Sequence, residues 1–377
     1  MRITIVTGPW LPVPALQGGS VPRMWHGLAE QFAARGHQVV IAARAFPGQP
    51  AQESRNGVRY HRRGGFAQGR SIYLDLAKDL IYATDLTWRL PAADILVTND
   101  FWLPILAGWF RDRAGLIVIS ANRFPKRQYK LYGHAASVVA SSRAIETAII
   151  EQTPAIADQV RAIPNPLDTS TFVPPAAGRS NRTGKKILYV GRLHPEKGID
   201  VLVRAFGRIH QKHPGLNLRI VGPSEPAQGG GGQGYLLELR RLADGLPVAF
   251  SGAEFDVARL AAIYQDADLF CYPSLAEKGE ALGVAPLEAM SAGLPVIVSG
   301  LECFLDFIVD GETGLRFDHR TGDPAAALAA KLEEAISDWS RSLEIGRSAR
   351  DVAQRFGFNP VAGEFLAIFE QILRGKR

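Results

Sequence analysis

Apolar residues recur along this chain in two alternating rhythms. Short β-branched runs give way to longer stretches whose apolar positions fall three and four apart. Ile3-Thr4-Ile5-Val6-Thr7 is the first short run, the pattern of a strand buried in a parallel sheet. A loop over residues 8–19 with three prolines follows. Val21, Met24, Trp25, Leu28 and Phe32 then return at helical spacing before Gly36, which sits where a C-cap belongs. Val39-Val40-Ile41-Ala42, Asp94-Ile95-Leu96-Val97-Thr98, Leu116-Ile117-Val118-Ile119 and Ser137-Val138-Val139-Ala140 are the next predicted strands, with helices near 102–112 and over 142–151. Strands alternating with helices of this length predict a doubly wound α/β sheet.

The rhythm breaks around Pro164-Asn165-Pro166 and Pro174-Pro175-Ala176-Ala177-Gly178, a proline-rich stretch that reads as a linker. A second α/β run begins at Lys186-Ile187-Leu188-Tyr189-Val190 and continues through a helix over 198–212. Further strands are predicted at Leu218-Arg219-Ile220-Val221, Val248-Ala249-Phe250, Leu269-Phe270-Cys271 and Pro295-Val296-Ile297-Val298. From 323 onward the pattern is helical, with Val361, Phe365, Ile368, Phe369 and Ile372 on one face. The expected organisation is a domain over 1–172, a second over 173–360, and a C-terminal helix over 361–377 that packs back on the first. Two α/β halves facing across a cleft are a recurring home for ligands. Gly229-Gly230-Gly231-Gly232 reads as a mobile surface loop, with closure over a ligand as the alternative.

Composition narrows the class. At 46% apolar and 21% charged, 377 residues can bury two or three cores. Two cysteines, Cys271 and Cys303, cannot form a disulfide framework or a four-ligand zinc site by themselves, so a reducing cytoplasm is expected. The N-terminus lacks the long apolar stretch and cleavage site of a signal peptide, and no run approaches a membrane span. The expectation is a cytoplasmic protein, at most peripheral on a membrane surface. The net charge of +6 is not evenly spread. Residues 1–177 carry 19 Lys/Arg against 12 Asp/Glu, a net of +7; residues 178–377 carry 24 against 25, a net of −1. An anionic partner for the first half is the implication.

Two stretches of the second half carry chemistry. In Glu280-Ala281-Leu282-Gly283-Val284-Ala285-Pro286-Leu287-Glu288-Ala289-Met290, a helix opened by Gly283 would present the Val284 and Ala285 amides to an anion such as phosphate. Glu280 before that helix and Glu288 inside it could accept from hydroxyls at two ends of one ligand. Two surface glutamates near a helix N-terminus are the alternative. In Gly191-Arg192-Leu193-His194-Pro195-Glu196-Lys197-Gly198, Arg192 and Lys197 could both reach a pyrophosphate; an exposed basic turn is the alternative. That turn is not a Walker A loop, and the first βα loop lacks Gly-x-Gly-x-x-Gly.

Together, and in order, these stretches resemble the family-four retaining glycosyltransferases of the GT-B fold, which use nucleotide-sugar donors. Glu280 and Glu288 meet the Glu-x7-Glu pattern, followed by Ser291-Ala292-Gly293-Leu294-Pro295, and Gly191-Arg192-Leu193 through Lys197-Gly198 matches the phosphate-binding turn. Gly18-Gly19 before a helix and Ile163-Pro164-Asn165-Pro166-Leu167-Asp168 are looser landmarks in the first half. The resemblance implies two Rossmann-like domains facing across a central cleft. It assigns the pyrophosphate to Arg192 and Lys197, the ribose hydroxyls to Glu288 and the transferred sugar to Glu280. Leu282, Gly283, Val284 and Ala285 would lie along sugar and phosphates, and Gly18 and Gly19 would approach from the first domain. Arg192, Lys197 and the amides supply the positive field, so neither a metal nor another cofactor is expected. Asp266-Ala267-Asp268 reads as an acid pair at a helix end, not a metal motif.

Departures from the family pattern are confined. Ala281 stands where glycine is usual, and Glu277 is a competing acid lacking the eight-residue offset to Glu288. Asn122 aligns with a histidine of many relatives; an amide donates hydrogen bonds but carries no charge. Arg55, Arg59, Arg62, Arg63 and Arg70 form one basic cluster, and Arg123, Lys126, Arg127 and Lys130 another. Both are expected on the acceptor side or facing an anionic membrane, with a solvated basic face as the alternative. No nucleic-acid motif accompanies them. The expected activity is transfer of a sugar from a nucleoside-diphosphate-sugar to a glycan or lipid-linked acceptor, in polysaccharide or glycolipid synthesis. A nucleotide-sugar epimerase or hydrolase, or a non-catalytic nucleotide-sugar-binding partner, are the other readings.

Overall fold

The computed structural model describes residues 1–16, 19–69, 71–176, 178 and 185–375, the side chain of Arg111 excepted. The chain divides into two compact units, Met1–Pro166 with Phe358–Arg377, and Leu167–Gly357.

The first unit runs β1 (Arg2–Val6), α1 (Ser20–Ala34), β2 (Gln38–Arg44), β3 (Gln52–Arg55), β4 (Val58–Arg63), α2 (Ile72–Arg89), β5 (Ile95–Thr98), α3 (Leu103–Ala107), α4 (Arg111–Ala114), β6 (Leu116–Ala121), β7 (Ser137–Ala140), α5 (Arg143–Gln152) and β8 (Val160–Ala162). The second runs β9 (Lys186–Val190), α6 (Ile199–His210), β10 (Asn217–Val221), α7 (Gly232–Leu242), β11 (Val248–Phe250), α8 (Val257–Asp266), β12 (Leu269–Tyr272), α9 (Val284–Ser291), β13 (Val296–Ser299), β14 (Leu315–Phe317), α10 (Pro324–Ser337) and α11 (Trp339–Ala353). The chain then returns to the first unit as α12 (Phe358–Arg374).

Each unit has its own sheet. The first orders its strands β3-β4-β2-β1-β5-β6-β7-β8, parallel except for β3 against β4; the second orders them β11-β10-β9-β12-β13-β14, all parallel. β1 and β9 each begin a unit, and the chain builds outward from them first on one side and then on the other. The β1/β5 and β9/β12 junctions are therefore switch points, where doubly wound sheets open a crevice beyond their strand C-termini. The central strands are apolar on both faces because helices cover both.

α12 closes the first core. Trp25 and Phe32 of α1 meet Phe365 and Phe369 edge-on, with centroids 5.4 and 5.8 Å apart for Trp25–Phe365 and Phe32–Phe369, a favoured aromatic geometry. Gly27 permits the approach, since a Cβ there would lie 2.3 Å from the Phe358 ring.

The unit boundaries differ from those expected. Residues 167–172 belong to the second unit, not to a domain ending at 172. Leu167 donates its amide to Phe356 O (2.9 Å), the Ser291 hydroxyl donates to Phe172 O (2.7 Å), and Phe172 packs edge-on against Tyr264. The return begins at Phe358, ahead of the expected 361.

β3, β4, α2, β8, α7 and β14 lie outside the predicted elements. The expected helix over 102–112 is two short helices, α3 and α4, separated by a 3-10 turn at Gly108–Phe110. Arg59, Arg62 and Arg63 sit on β4, so their side chains alternate across the sheet. Arg62 is a correction to the solvated basic cluster: it is buried, paired with Glu53 at 2.8 Å and donating to Pro50 O at 3.0 Å. Arg70 lies outside the described residues.

Candidate functional site

The loops after β9 and β12 meet at the second switch point. After β9 the chain turns through Gly191 and Arg192 into a 3-10 turn, Pro195–Lys197, and Gly198 then caps α6. Gly198 has φ 63°, and a Cβ there would sit 2.2 Å from Pro273 O in the loop after β12. Only glycine allows both the left-handed turn and that approach. The Leu275 amide donates to Glu196 O at 2.8 Å, tying the two loops together.

This apposition brings Lys197 onto Glu280. Their Nζ and Oε2 are 2.7 Å apart, with the side chains only 5% and 9% exposed. Tyr272 stands at the end of β12, and its ring lies 5.7 Å from the lysine ammonium. Burial, and then the Glu280 charge, push the Tyr272 hydroxyl well above its ordinary pKa, fixing it as a neutral donor. Tyr189 stacks on Tyr272 with centroids 5.6 Å apart and planes 8° from parallel, and it donates to Arg192 O at 3.1 Å. The site floor is thus two stacked tyrosines carrying a buried ion pair.

Arg192 is more exposed. It donates to Glu196 Oε1 at 2.8 Å and to Gly229 O at 2.7 Å. The second bond corrects the reading of the glycine run as a mobile loop. Gly231 N donates to Leu193 O at 2.7 Å and Gly230 N to Glu225 O at 2.9 Å, so its backbone is tied to the turn after β9 and to its own preceding loop. The glycines are needed for closeness: a Cβ on Gly230 would lie 2.2 Å from the Ser224 backbone.

Gly283, with φ 84°, opens α9 so that Val284 and Ala285 form its first turn. A Cβ at Gly283 would meet the Phe304 ring at 2.6 Å. Leu282 is buried beside it, and Glu288, one turn further on, accepts the Tyr264 hydroxyl at 2.9 Å from within the core. A buried carboxylate is costly unless it is hydrogen-bonded, and the Tyr264 phenol supplies one such bond.

Glu277, the competing acid, is accounted for. Despite partial desolvation, hydrogen bonds from Arg320 and His319 (both 2.8 Å) hold its carboxyl below the usual range. The acid pair at the end of α8 has structural work. Asp266 pairs with Lys186 Nζ at 2.7 Å, and Asp268 accepts the Lys186 amide at 2.8 Å. Among the described residues, no group of three or more His, Cys, Asp or Glu could hold a metal ion.

In the first unit, Asn122 follows β6 and donates to Ser120 Oγ at 2.8 Å. Arg123, Lys126 and Arg127 continue from it on the surface, Arg127 with φ 66°. Gly19 precedes α1 with φ 101°; Gly18 lies outside the described residues.

An acid pair missed by the motif reading sits at this unit's own switch point. Asp100, just after β5, is buried, with Oδ2 lacking a hydrogen-bond partner, and Gly8 of the β1 loop packs against its Oδ1. Asp79 of α2 accepts the Trp102 amide at 3.2 Å. Burial lifts Asp79 to about 6, while burial and the Asp79 charge raise Asp100 well above the carboxylate range. Thr7 Oγ1, Asn99 Oδ1 and Ser141 Oγ, at the ends of β1, β5 and β7, are likewise buried without a hydrogen-bond partner among the described residues. Buried polar groups are rarely left so, and their gathering at one sheet edge marks a second polar site. No local motif announces it; the signal available was the position of Asn99-Asp100 at a strand end.

Two doubly wound units, the second with the Lys197–Glu280 pair at its switch point, are the class of architecture the chain presents. The comparisons give the family. Residues 18–171 match the model for Glycosyltransferase Family 4, and residues 175–352 the model for Glycosyl transferases group 1. The chain belongs to the family-four glycosyltransferases of the GT-B fold, and is a glycosyltransferase. It is 27% identical to a glycogen synthase of Mycobacterium tuberculosis over 100% of this chain and 96% of that protein. It is 27% identical to a phosphatidyl-myo-inositol mannosyltransferase of Mycolicibacterium smegmatis over 99% and 94%. In fold it resembles sucrose-phosphate synthase from Thermosynechococcus elongatus, with a TM-score of 0.79 at 22% identity over 100% of both chains. Anabaena HepE, solved with UDP and glucose, gives 0.74 at 18% over 98% and 100%.

Proposed function

We propose that this transferase moves a hexose from a nucleoside-diphosphate-sugar to a hydroxyl of a glycan or lipid-linked acceptor, with retention of anomeric configuration and without a metal. Work in cell-surface polysaccharide or glycolipid synthesis fits that acceptor class. The observation that carries the reading is the buried Lys197–Glu280 pair set between the two loops of the second switch point, with α9, which carries Glu288, opening four residues after Glu280. HepE's complexes with UDP and with UDP-glucose support the donor class, and the mannosyltransferase relatives support an inositol-lipid type of acceptor.

In this reading, the bond from the sugar's anomeric carbon to the diphosphate breaks, and a bond to the acceptor oxygen forms on the same face. The acceptor proton passes to the departing phosphate oxygen. Arg192, Lys197 and the Val284 and Ala285 amides meet the charge that grows on the diphosphate, which is the role a metal would otherwise fill. Glu280 accepts from a hydroxyl of the transferred sugar and Glu288 from the ribose. In the first unit, the Asp79–Asp100 edge offers hydrogen bonds to a neutral, hydroxylated part of the acceptor. Asn122 contributes an amide where many relatives supply a cation.

Product analysis with and without acceptor tests the reading. Sugar appearing in the acceptor in step with nucleoside diphosphate release supports it. An epimerised nucleotide sugar, or free sugar formed equally without acceptor, replaces it with the epimerase or hydrolase alternative.

A further inference from the structure

Glu280 reaches Lys197 from a turn with few anchors of its own. Over residues 276–279 the chain turns after leaving β12, and Glu277, Lys278 and Gly279 are exposed. The Gly279 and Glu280 amides both donate to Ala276 O at 3.0 Å. Those bonds set the shape of the turn but not its place on the sheet. Upstream, the Leu275 amide ties the chain to Glu196 O at 2.8 Å, and the Ser299 hydroxyl donates to Ser274 O. Within the turn, Glu277 reaches another loop.

Its carboxylate is held from the loop after β14. Arg320 grips it with two nitrogens, Nε to Oε1 at 2.8 Å and Nη2 to Oε2 at 3.0 Å, and His319 Nε2 donates to Oε1 at 2.8 Å. The remaining Arg320 nitrogen, Nη1, donates to Gly300 O at 2.7 Å in the loop after β13. β12, β13 and β14 are neighbours in the sheet. One guanidinium therefore joins all three loops at the strand ends where a doubly wound sheet binds its ligand. The loop that supplies it is anchored too: the Arg320 amide donates to Asp318 Oδ1 at 2.8 Å, and the His319 side chain is only 5% exposed.

An exposed single-point ion pair is worth little. This one is a planar fork on a carboxylate, joined by a donor from a buried ring, and such a fork fixes direction more than it adds stability. Glu280 lies three residues past Glu277, and a carboxylate aimed at a sugar hydroxyl has to be placed within about half an ångström. We propose that Arg320, with His319, is a positioning group for the donor-sugar site: its grip on Glu277 sets where the turn presents Glu280 to Lys197 and to the transferred sugar. The proposal deepens the donor reading and rests on Glu280 facing that sugar.

The test compares full-length Arg320→Ala, Glu277→Gln and Arg320→Lys with wild type and with Arg208→Ala, which removes an exposed ion pair to Asp323 elsewhere in the unit. Calorimetric titration uses UDP-glucose, ADP-glucose and GDP-mannose, each beside its free nucleoside diphosphate. Arg320→Ala and Glu277→Gln should raise the Kd of whichever nucleotide sugar wild type binds about tenfold, through one misplaced charge-assisted hydrogen bond. The Kd of the matching diphosphate should stay within about twofold. Arg320→Lys, with one contact in place of a fork, should fall between Arg320→Ala and wild type, and Arg208→Ala should match wild type. Hydrogen exchange without ligand, read by mass spectrometry, should be about tenfold faster or more at the Glu280 amide in Arg320→Ala, with α6 unchanged. Equal weakening of sugar and diphosphate makes Arg320 merely structural and overturns the proposal, as does unaltered exchange at Glu280. Wild type that binds no nucleotide sugar overturns the donor reading instead, and the exchange result alone then decides whether Arg320 holds Glu280.

Discussion

Replacing Lys197 by methionine tests whether the buried pair is structural, catalytic or both. Methionine keeps the length and apolar stem but leaves Glu280, 9% exposed in its side chain, facing no ammonium at 2.7 Å. Breaking a buried ion pair from one side costs about 3–5 kcal/mol, because the remaining charge stays desolvated. The lost cation–ring contact to Tyr272, at 5.7 Å, adds about 0.5–1 kcal/mol. Removing both charges, as Lys197→Met with Glu280→Leu, should recover most of that stability, since an apolar pair of similar volume is close to neutral. Activity should behave differently. If Lys197 meets charge developing on the leaving diphosphate, its loss costs about 10²–10³ in kcat, and the stable double variant stays inactive. Urea unfolding of wild type, both single variants and the double gives the coupling energy, and initial rates on the same samples give the second axis. A Lys197→Met variant within 1 kcal/mol of wild type, or an active double variant, would refute the reasoning.

Other outcomes follow from the same geometry. Gly198→Ala should cost more than about 2 kcal/mol by thermal unfolding, combining a strained left-handed residue with a clash against Pro273 O; an unchanged Tm contradicts the loop apposition. Tyr264→Phe should raise the KM for donor several-fold with little change in kcat, because Glu288 loses the phenol that positions it. Equal effects on kcat would move Glu288 to the reacting centre. For Asp79, the folded pKa of about 6 lies above the unfolded value of about 4. The folded state therefore binds more protons between those values, so the contribution of Asp79 to stability is full below pH 4 and is lost as pH rises through 6, by on the order of 3 kcal/mol. Asp79→Asn should flatten that decline, and an unaltered pH–stability slope in this variant refutes the account of a buried Asp79.

Much of the fold was legible because parallel strands covered on both faces read as unbroken apolar runs, as at β1, β7, β9 and β13. The elements missed lack that mark. β4 alternates arginines with apolar residues, and its charge hid its strand. α2 turns Asp79 inward and Tyr73, Ile81 and Trp88 outward, so its periodicity points the wrong way for a soluble helix. In the site, residue types and spacing brought Arg192, Lys197, Glu280 and Glu288 forward. The pairing of Lys197 with Glu280 across residues far apart in the chain could come only from β9 and β12 being neighbours. Arg62 shows the reverse: in the sequence it joins a basic cluster, but Glu53 and the Pro50 carbonyl bury it. Asp79 and Asp100 carry no motif, and their closeness depends on α2, which the pattern concealed.

The account stands or falls on the reaction at the second switch point. The direct measurement incubates the purified protein with an α-linked nucleotide-sugar panel and membrane lipid extract. It follows nucleoside diphosphate release and determines the anomeric configuration of the product by NMR. The account predicts acceptor-dependent release from at least one donor and an α-linked product, with both lost in Lys197→Ala and Glu280→Ala proteins that remain folded. Wild-type rates in those two variants, or a β-linked product, would contradict it.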